Sequence, residues 1–252
     1  MAFAPHSSAT PGAKVNFPET GKGTFGLPPG PSRQYRLAQA DDYYGLPRAR
    51  FPWQPPVTFN VRARASHVAI PGTWGFGLWN DPMSLSLGFG SARKFPALPN
   101  AVWYFFASSE NALSLRDDLP SHGALAATFC APNLPAWLLA SGGLALPLLF
   151  FRPLARVLRR LTAKVVQQDA VALPLDPTKW HTYAFTWMRE RVTFEVDGAQ
   201  VLDTSISPRG PLGLVIWVDN QFAAWQPDGA LQWGVLEGKT AYEIQIEDLN
   251  IT

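Results

Sequence analysis

Apolar and polar residues alternate with a period of two over several short stretches of this 252-residue chain. In HTYAFTWMRERVTFEVDGAQVLDTSI, Tyr183, Phe185 and Trp187 alternate with Thr182, Ala184 and Thr186, and Val192, Phe194 and Val196 repeat the pattern. That is the signature of strands with one buried face. Asp197-Gly198 supplies a positive-φ turn before Val201 and Leu202, so the segment predicts a hairpin. Shorter β-like runs at 57–65 (VTFNVRARA), 74–79 (WGFGLW), 101–107 (AVWYFFA) and 124–130 (ALAATFC) are separated by Gly, Pro and Asn. A last strand pair is predicted at 212–218 (LGLVIWV) and 241–251, where Tyr242, Ile244 and Ile246 alternate with polar residues. Residues 1–34 show no such period and hold eight prolines or glycines between Pro18 and Pro31 alone. They predict an irregular arm draped over a single all-β domain at 35–252.

One segment breaks the pattern, at about 132–168. No residue between Leu119 and Phe151 carries a formal charge, and 134–151 reads LPAWLLASGGLALPLLFF, long enough to nominate a membrane span. Topology argues against a crossing, because strands of one sandwich on either side must emerge in the same compartment. Pro135, Gly142, Gly143 and Pro147 also divide the run. The following RPLARVLRRLTAKVV places Arg152, Arg156, Arg159 or Arg160, and Lys164 at helical spacing, with Leu154, Val157, Leu158, Leu161 and Val165 opposite. The expectation is a helical-hairpin insertion, either a lid over the sandwich or an element lying in a membrane interface. Trp137, Leu148, Phe150, Phe151, Arg152, Arg156, Arg159 and Arg160 are the candidate lid or membrane residues.

Composition narrows the function classes. Hydrophobic residues at 47% supply a core and exclude wholesale disorder, while charged residues at 16% fall below the usual quarter. The net charge of +2 excludes a field on the scale of nucleic-acid binding, although 152–164 alone carries +5 and leaves −3 elsewhere. The single Cys130 excludes a disulfide framework and a cysteine-rich metal site. His67, His122 and His181 lack metal spacing, and Gly72, Gly75 and Gly77 do not form a phosphate loop, so neither metal nor cofactor is expected. Ser108-Ser109 lacks the setting of a serine nucleophile. The N-terminus has neither a basic n-region nor an apolar h-region, which implies a cytoplasmic location, membrane-peripheral if the insertion is an anchor.

KWHTYAFTWMRERVTFEVDG resembles the H-x-Y-x-x-x-W…V-x-F-x-V-D-G hairpin of the concanavalin A-like lectin/glucanase superfamily, in particular the family 16 glycoside hydrolases. VRARASHVAIPGTWGFGLWNDP and PLGLVIWVDNQFAAWQPDG are similar to further strand-and-loop segments of that superfamily. The resemblance covers about 35–131 and 175–252 and implies a jelly-roll β-sandwich of two curved antiparallel sheets with a groove across one of them. Family 16 enzymes carry Glu-x-Asp-x-(x)-Glu on a groove strand, and retaining hydrolysis needs its outer carboxyls roughly 5 Å apart. The corresponding stretch here is Ala101 to Glu110, where Phe105 and Ser108 replace acids and Glu110 alone is left. Retaining glycosidase activity by that mechanism is therefore expected to be absent. The family's convex-face calcium site has no matching motif here.

Ten tryptophans exceed what a core of this size needs. Trp74, Trp79, Trp103, Trp217, Trp225 and Trp233 are candidates for an aromatic groove, set against ordinary use as core filler. Tyr104, Asn220 and Gln221 join Trp74, Trp79, Trp103, Trp217 and Trp225 as candidate ligand-binding residues, and Glu110 and Asp219 are candidate proton carriers. Asn80 and Asp81, followed by Pro82, read as turn chemistry. Three functions fit. The first is a pocket for a hydrophobic or amphiphilic small molecule, capped by the insertion, with or without a cyclase-, isomerase- or hydratase-like reaction. The second is a carbohydrate-binding or degenerate glycoside-hydrolase-like protein, and the third a membrane-peripheral protein anchored by the insertion.

Overall fold

The computed structural model describes residues 5–19, 21–82, 97–134 and 151–252. In chain order its strands are β1 (His6–Ala9), β2 (Lys14–Glu19), β3 (Lys22–Leu27), β4 (Leu37–Asp41), β5 (Val57–Ala65), β6 (Thr73–Trp79), β7 (Ala101–Ala107) and β8 (Gly123–Cys130). A helix α1 (Arg152–Val165) follows. Then come β9 (Gln167–Ala172), β10 (His181–Trp187), β11 (Val192–Val196), β12 (Ala199–Thr204), β13 (Gly213–Asp219), β14 (Gln221–Trp225), β15 (Leu231–Val235) and β16 (Tyr242–Ile251). One seven-stranded sheet runs β1-β4-β13-β6-β7-β8-β9 and the other β12-β11-β10-β5-β16-β3-β2, and β14–β15 form a separate hairpin. All pairings within the two sheets are antiparallel. The protein is a jelly-roll β-sandwich.

Strand alternation builds the core. Every second residue of β5, from Val57 through Phe59 and Val61 to Ala65, is buried and meets Trp74, Phe76 and Leu78 of β6 across the sandwich. Phe59 stacks on Phe185 at 4.7 Å, and Phe76 meets Tyr183 edge-on at 5.1 Å. The β10–β11 hairpin forms as its period predicts, with Tyr183 opposite Val196 and Trp187 opposite Val192. Asp197 and Gly198, which turn β11 into its other partner β12, both have positive φ, 51° and 78°.

Two expectations are corrected. The segment read as an irregular arm supplies β1, β2 and β3, and β3 sits inside the second sheet between β16 and β2 with Phe25 and Leu27 in the core. Its glycines and prolines obscure a real alternation, because Gly23 and Gly26 lie within the strand itself. The runs 212–218 and 241–251 are both strands, but β13 and β16 belong to opposite sheets and the β14–β15 hairpin intervenes.

Candidate functional site

On β6, Trp74, Phe76 and Leu78 point between the sheets, so Thr73, Gly75, Gly77 and Trp79 lie on the outer face. Trp217 of β13 pairs with Gly75, and Trp103 of β7 with Gly77. A Cβ on Gly75 would stand 2.7 Å from Cη2 of Trp217, and one on Gly77 (φ 148°) 2.7 Å from Cβ of Trp103. The two glycines leave room for indoles to lie over the sheet. The ring centroids of Trp103 are 5.9 Å from Trp79 and 5.7 Å from Trp217, and Phe105 is 5.4 Å from Trp217. These four side chains make a continuous aromatic floor.

The floor underlies a trough of about 480 Å³. Strand β4 alternates Ala38 and Ala40 into the core with Leu37, Gln39 and Asp41 outward, and these three line one side together with Tyr35 and Tyr43. Trp79 Nε1 donates to the Tyr43 hydroxyl at 2.7 Å, tying that side to the floor. Gln221, Ala223 and Trp233 of the β14–β15 hairpin add a wall next to Asp219. Asn111 holds this hairpin: its Oδ1 accepts from Ala223 N at 3.1 Å and its Nδ2 donates to the Ser108 carbonyl at 3.2 Å.

The polar edge is acidic. Asp219 Oδ1 accepts from the Thr73 hydroxyl at 2.9 Å and from Gln221 N at 3.2 Å, and the Tyr35 hydroxyl donates to Oδ2 at 3.5 Å. Trp217 Nε1 in turn donates to Thr73 Oγ1 at 3.0 Å, so a donor chain runs from the aromatic floor to this carboxyl. Burial pushes Asp219 up to about 7, against the four hydrogen bonds from the Thr73 hydroxyl and backbone, Gln221 N and the Tyr35 hydroxyl that favour its anion. Burial also raises Asp41; Oδ2 of that residue accepts from Gln39 Nε2 at 3.0 Å, while its buried Oδ1 has no partner among the described residues. Asp81 borders the same trough next to Arg48, whose guanidinium donates to the carbonyls of Asn80 at 2.7 Å and Asp81 at 2.5 Å.

Of the residues singled out in the sequence, Trp79, Trp103, Trp217, Asp219, Gln221 and Trp233 come together here. Trp74 and Tyr104 do not, because strand alternation puts them between the sheets. Trp74 stacks on Phe106 at 3.6 Å, and the Tyr104 hydroxyl lies 2.7 Å from the carbonyls of both Ala184 and Glu195 in the opposite sheet. Asn220 is a brace: it accepts from Arg36 N at 2.8 Å and donates to the carbonyls of Gln34 and Leu236 at 3.0 and 2.8 Å. Glu110 is exposed on the turn after β7 and lines a different depression, with Ser108, Ser109 and His122. Glu110 and Asp219 therefore do not face one another across the trough. Trp225 lies at the far end of β14, where its carbonyl accepts from Arg159 Nε at 2.9 Å. Tyr35, Gln39, Asp41 and Tyr43 went unnoticed in the sequence, although the alternation Leu37, Gln39, Asp41 against Ala38 and Ala40 was there to find.

Of the insertion, α1 is described, whereas Trp137, Leu148 and Phe150 lie outside the described residues. No residue of α1 lines the trough. Instead α1 rests on the turn of the β14–β15 hairpin. Arg152 pairs with Asp228 at 3.8 Å, and Arg156 donates to the Asp228 carbonyl at 3.2 Å. A Cβ on Gly229 (φ 89°) would stand 2.2 Å from the Arg152 carbonyl, so only glycine permits this approach. Arg159 is buried and donates to Asp117 Oδ1 at 2.6 Å and to the Ser114 carbonyl at 3.0 Å. Phe151 and Arg160 are exposed.

No protein-family model and no curated protein matches the chain. Among solved structures it is similar to a legume lectin-like domain from Entamoeba histolytica, with 8% identity over 98% of this chain and 89% of that one and a TM-score of 0.48. It is also similar to the Bacillus licheniformis β-glucanase, with 14% identity over 94% and 81% of the two chains and a TM-score of 0.45. A third is the Crh5 transglycosylase in complex with NAG, at 14% identity over 97% and 77% and a TM-score of 0.45.

Proposed function

We propose that the protein binds a carbohydrate in the trough and does not hydrolyse it. The observation that carries this reading is the aromatic floor of Trp79, Trp103 and Trp217 edged by Gln39, Asp41, Asp219 and Gln221. A sugar ring offers flat C–H faces to stack on indoles and hydroxyls to bond to carboxyls and amides, so both halves of the site are used at once. An apolar ligand would leave the buried Asp41 Oδ1, which has no partner among the described residues, still unpaired, at a cost for a buried polar group. The chamber capped by the insertion, favoured from sequence, draws no support from α1, which sits on the outside of the hairpin wall.

The placement of Asp41 and Asp219 supports binding without hydrolysis. The outward positions of β7 are Ala101, Trp103, Phe105 and Ala107, none of which is an acid. Asp41 pairs with Val215 and Asp219 with Leu37 in the β13–β4 ladder, four residues apart. Four residues of strand amount to about 13 Å, beyond the separations of roughly 5 Å for retaining and 6.5–9.5 Å for inverting hydrolysis.

Calorimetric titration and thermal shift with neutral, acidic and amino oligosaccharides, alongside fatty acids and terpenoids, test this reading. The expected result is a higher melting temperature with an oligosaccharide, lost in Trp103→Ala and Trp217→Ala, and a ligand recovered intact by chromatography. A response confined to apolar ligands would overturn the carbohydrate reading, and release of shortened oligosaccharides would overturn the absence of hydrolysis.

A further inference from the structure

Helix α1 is amphipathic, yet it docks by the wrong face. Residues four apart fall on nearly the same line of a helix, and residues two apart lie on roughly opposite sides. Ala155 and Arg159 share the buried line, and Arg159 spends its guanidinium on the Trp225 carbonyl, the Ser114 carbonyl and Asp117. Val157, Leu161 and Val165 share the opposite line and are 49%, 51% and 44% exposed, with Phe151 at the helix entrance 65% exposed. Held on its protein by an arginine, the helix leaves an aliphatic line about half exposed among the described residues, a face open to a further hydrophobic contact.

Charge indicates what makes that contact. Arg160 and Lys164 are exposed and flank the aliphatic line, and no acidic residue occurs between Phe151 and Val165. Arg152 and Arg156 are exposed too, but both contact Asp228. An aliphatic stripe bordered by cations matches the boundary between acyl chains and anionic head groups. At 14 residues α1 is shorter than the ~20 needed to cross a bilayer, and no helix among the described residues is long and apolar enough to span one. In sequence it continues a chain that is uncharged from Leu119 to Phe151. We propose that α1 lies in the surface of an anionic membrane, with Val157, Leu161 and Val165 inserted and Arg160 and Lys164 on head groups. The hairpin that walls the trough rides on its other side.

Co-sedimentation of the full chain with phosphatidylcholine vesicles, with and without phosphatidylserine, tests this. The expected result is binding that requires phosphatidylserine and weakens with added salt. Leu161→Glu should lower it at least tenfold, and Arg160→Gln and Lys164→Gln about fivefold each. All three positions are exposed, so the variants should fold, with an unchanged melting temperature as the control. The proposal falls if the wild type stays in the supernatant or if Leu161→Glu binds as well as the wild type. It also falls if light scattering shows a dimer that Leu161→Glu dissociates while vesicles are ignored, because the stripe would then serve a second copy of the chain.

Discussion

Trp217 occupies the space that a side chain on Gly75 would need: the two residues pair directly across β13 and β6, and Cη2 of the indole stands 2.7 Å from where a Cβ on Gly75 would be. The same Cβ would come within 2.3 Å of the Tyr104 carbonyl. Gly75→Ala must therefore lift the indole and disturb the β6–β7 ladder together. A destabilisation of about 1–3 kcal/mol is expected from such overpacking, with loss of the hydrogen bond from Trp217 Nε1 to Thr73. Chemical denaturation and Trp fluorescence measure both. An alanine variant with wild-type stability and an unshifted emission maximum would show that the floor does not depend on this glycine.

This pairing also shows how much of the site could be read from the sequence. The fold was legible where alternation was uninterrupted, as in β5, β10 and β11, and where Asp197-Gly198 marked the turn. Of the candidate groove aromatics, Trp79, Trp103 and Trp217 lie together on the outer face, whereas Trp74 and Tyr104 lie between the sheets. Parity held the missing information: Trp74 and Trp79 are an odd number of residues apart on one strand, so they cannot share a side. Glycines at 75 and 77 hide this, because the outward positions they hold carry no polar residue to mark the outer face. The trough's acidic edge was illegible for another reason. Asp41 and Asp219 belong to strands 172 or more residues apart in the chain, and only the β13–β4 register places them in one trough.

Asp219 should make stability depend on pH in a stated direction. Its pKa rises from 3.8 to about 7 on folding, so the folded state holds the proton more firmly than the unfolded chain. Stability is then greatest below about pH 4 as far as this group is concerned, and declines as pH rises towards about 7, by up to roughly 4 kcal/mol. Asp42, pushed up to about 6 by burial, acts with the same sign below that pH. Asp219→Asn keeps an acceptor for the Thr73 hydroxyl and cannot ionise, so it should flatten the decline between about pH 4 and 7, with Asp42 contributing only below about pH 6. Melting temperatures across that interval decide the matter, and parallel curves for variant and wild type would remove Asp219 as the cause.

Two buried tyrosines in contact should respond in opposite ways. Tyr104 and Tyr183 meet edge-on at 5.0 Å in the core. The Tyr104 hydroxyl crosses the sandwich to the carbonyls of Ala184 and Glu195, whereas the Tyr183 hydroxyl is buried without a partner among the described residues. Tyr104→Phe should cost about 1 kcal/mol. Tyr183→Phe removes a desolvated hydroxyl and should be neutral or stabilising by up to about 1 kcal/mol. Urea denaturation of the two variants side by side is the measurement. Equal losses in both would mean that Tyr183 has a partner in solution.

Arg159 should matter far more than its neighbour Arg160. Its side chain is 5% exposed while that of Asp117 is 63% exposed, so the ion pair itself is largely screened and contributes little. The stability resides in the hydrogen bonds to the carbonyls of Trp225 and Ser114, which lose their donor if the guanidinium is removed. Arg159→Ala is expected to cost about 2–4 kcal/mol, counting roughly 1–3 kcal/mol for each acceptor left buried and allowing for water entry. Arg160→Ala, on the exposed side, should stay within about 0.5 kcal/mol. Arg159→Lys should recover only part of the loss, because a single ammonium cannot reach three acceptors held by Nε, Nη1 and Nη2. Since Trp225 ends β14, the variant should also speed amide exchange through the hairpin turn from Gln226 to Ala230, whose bonds otherwise close it at 2.8 Å. Equal denaturation midpoints for Arg159→Ala and Arg160→Ala would mean that α1 is not held on the hairpin through this side chain.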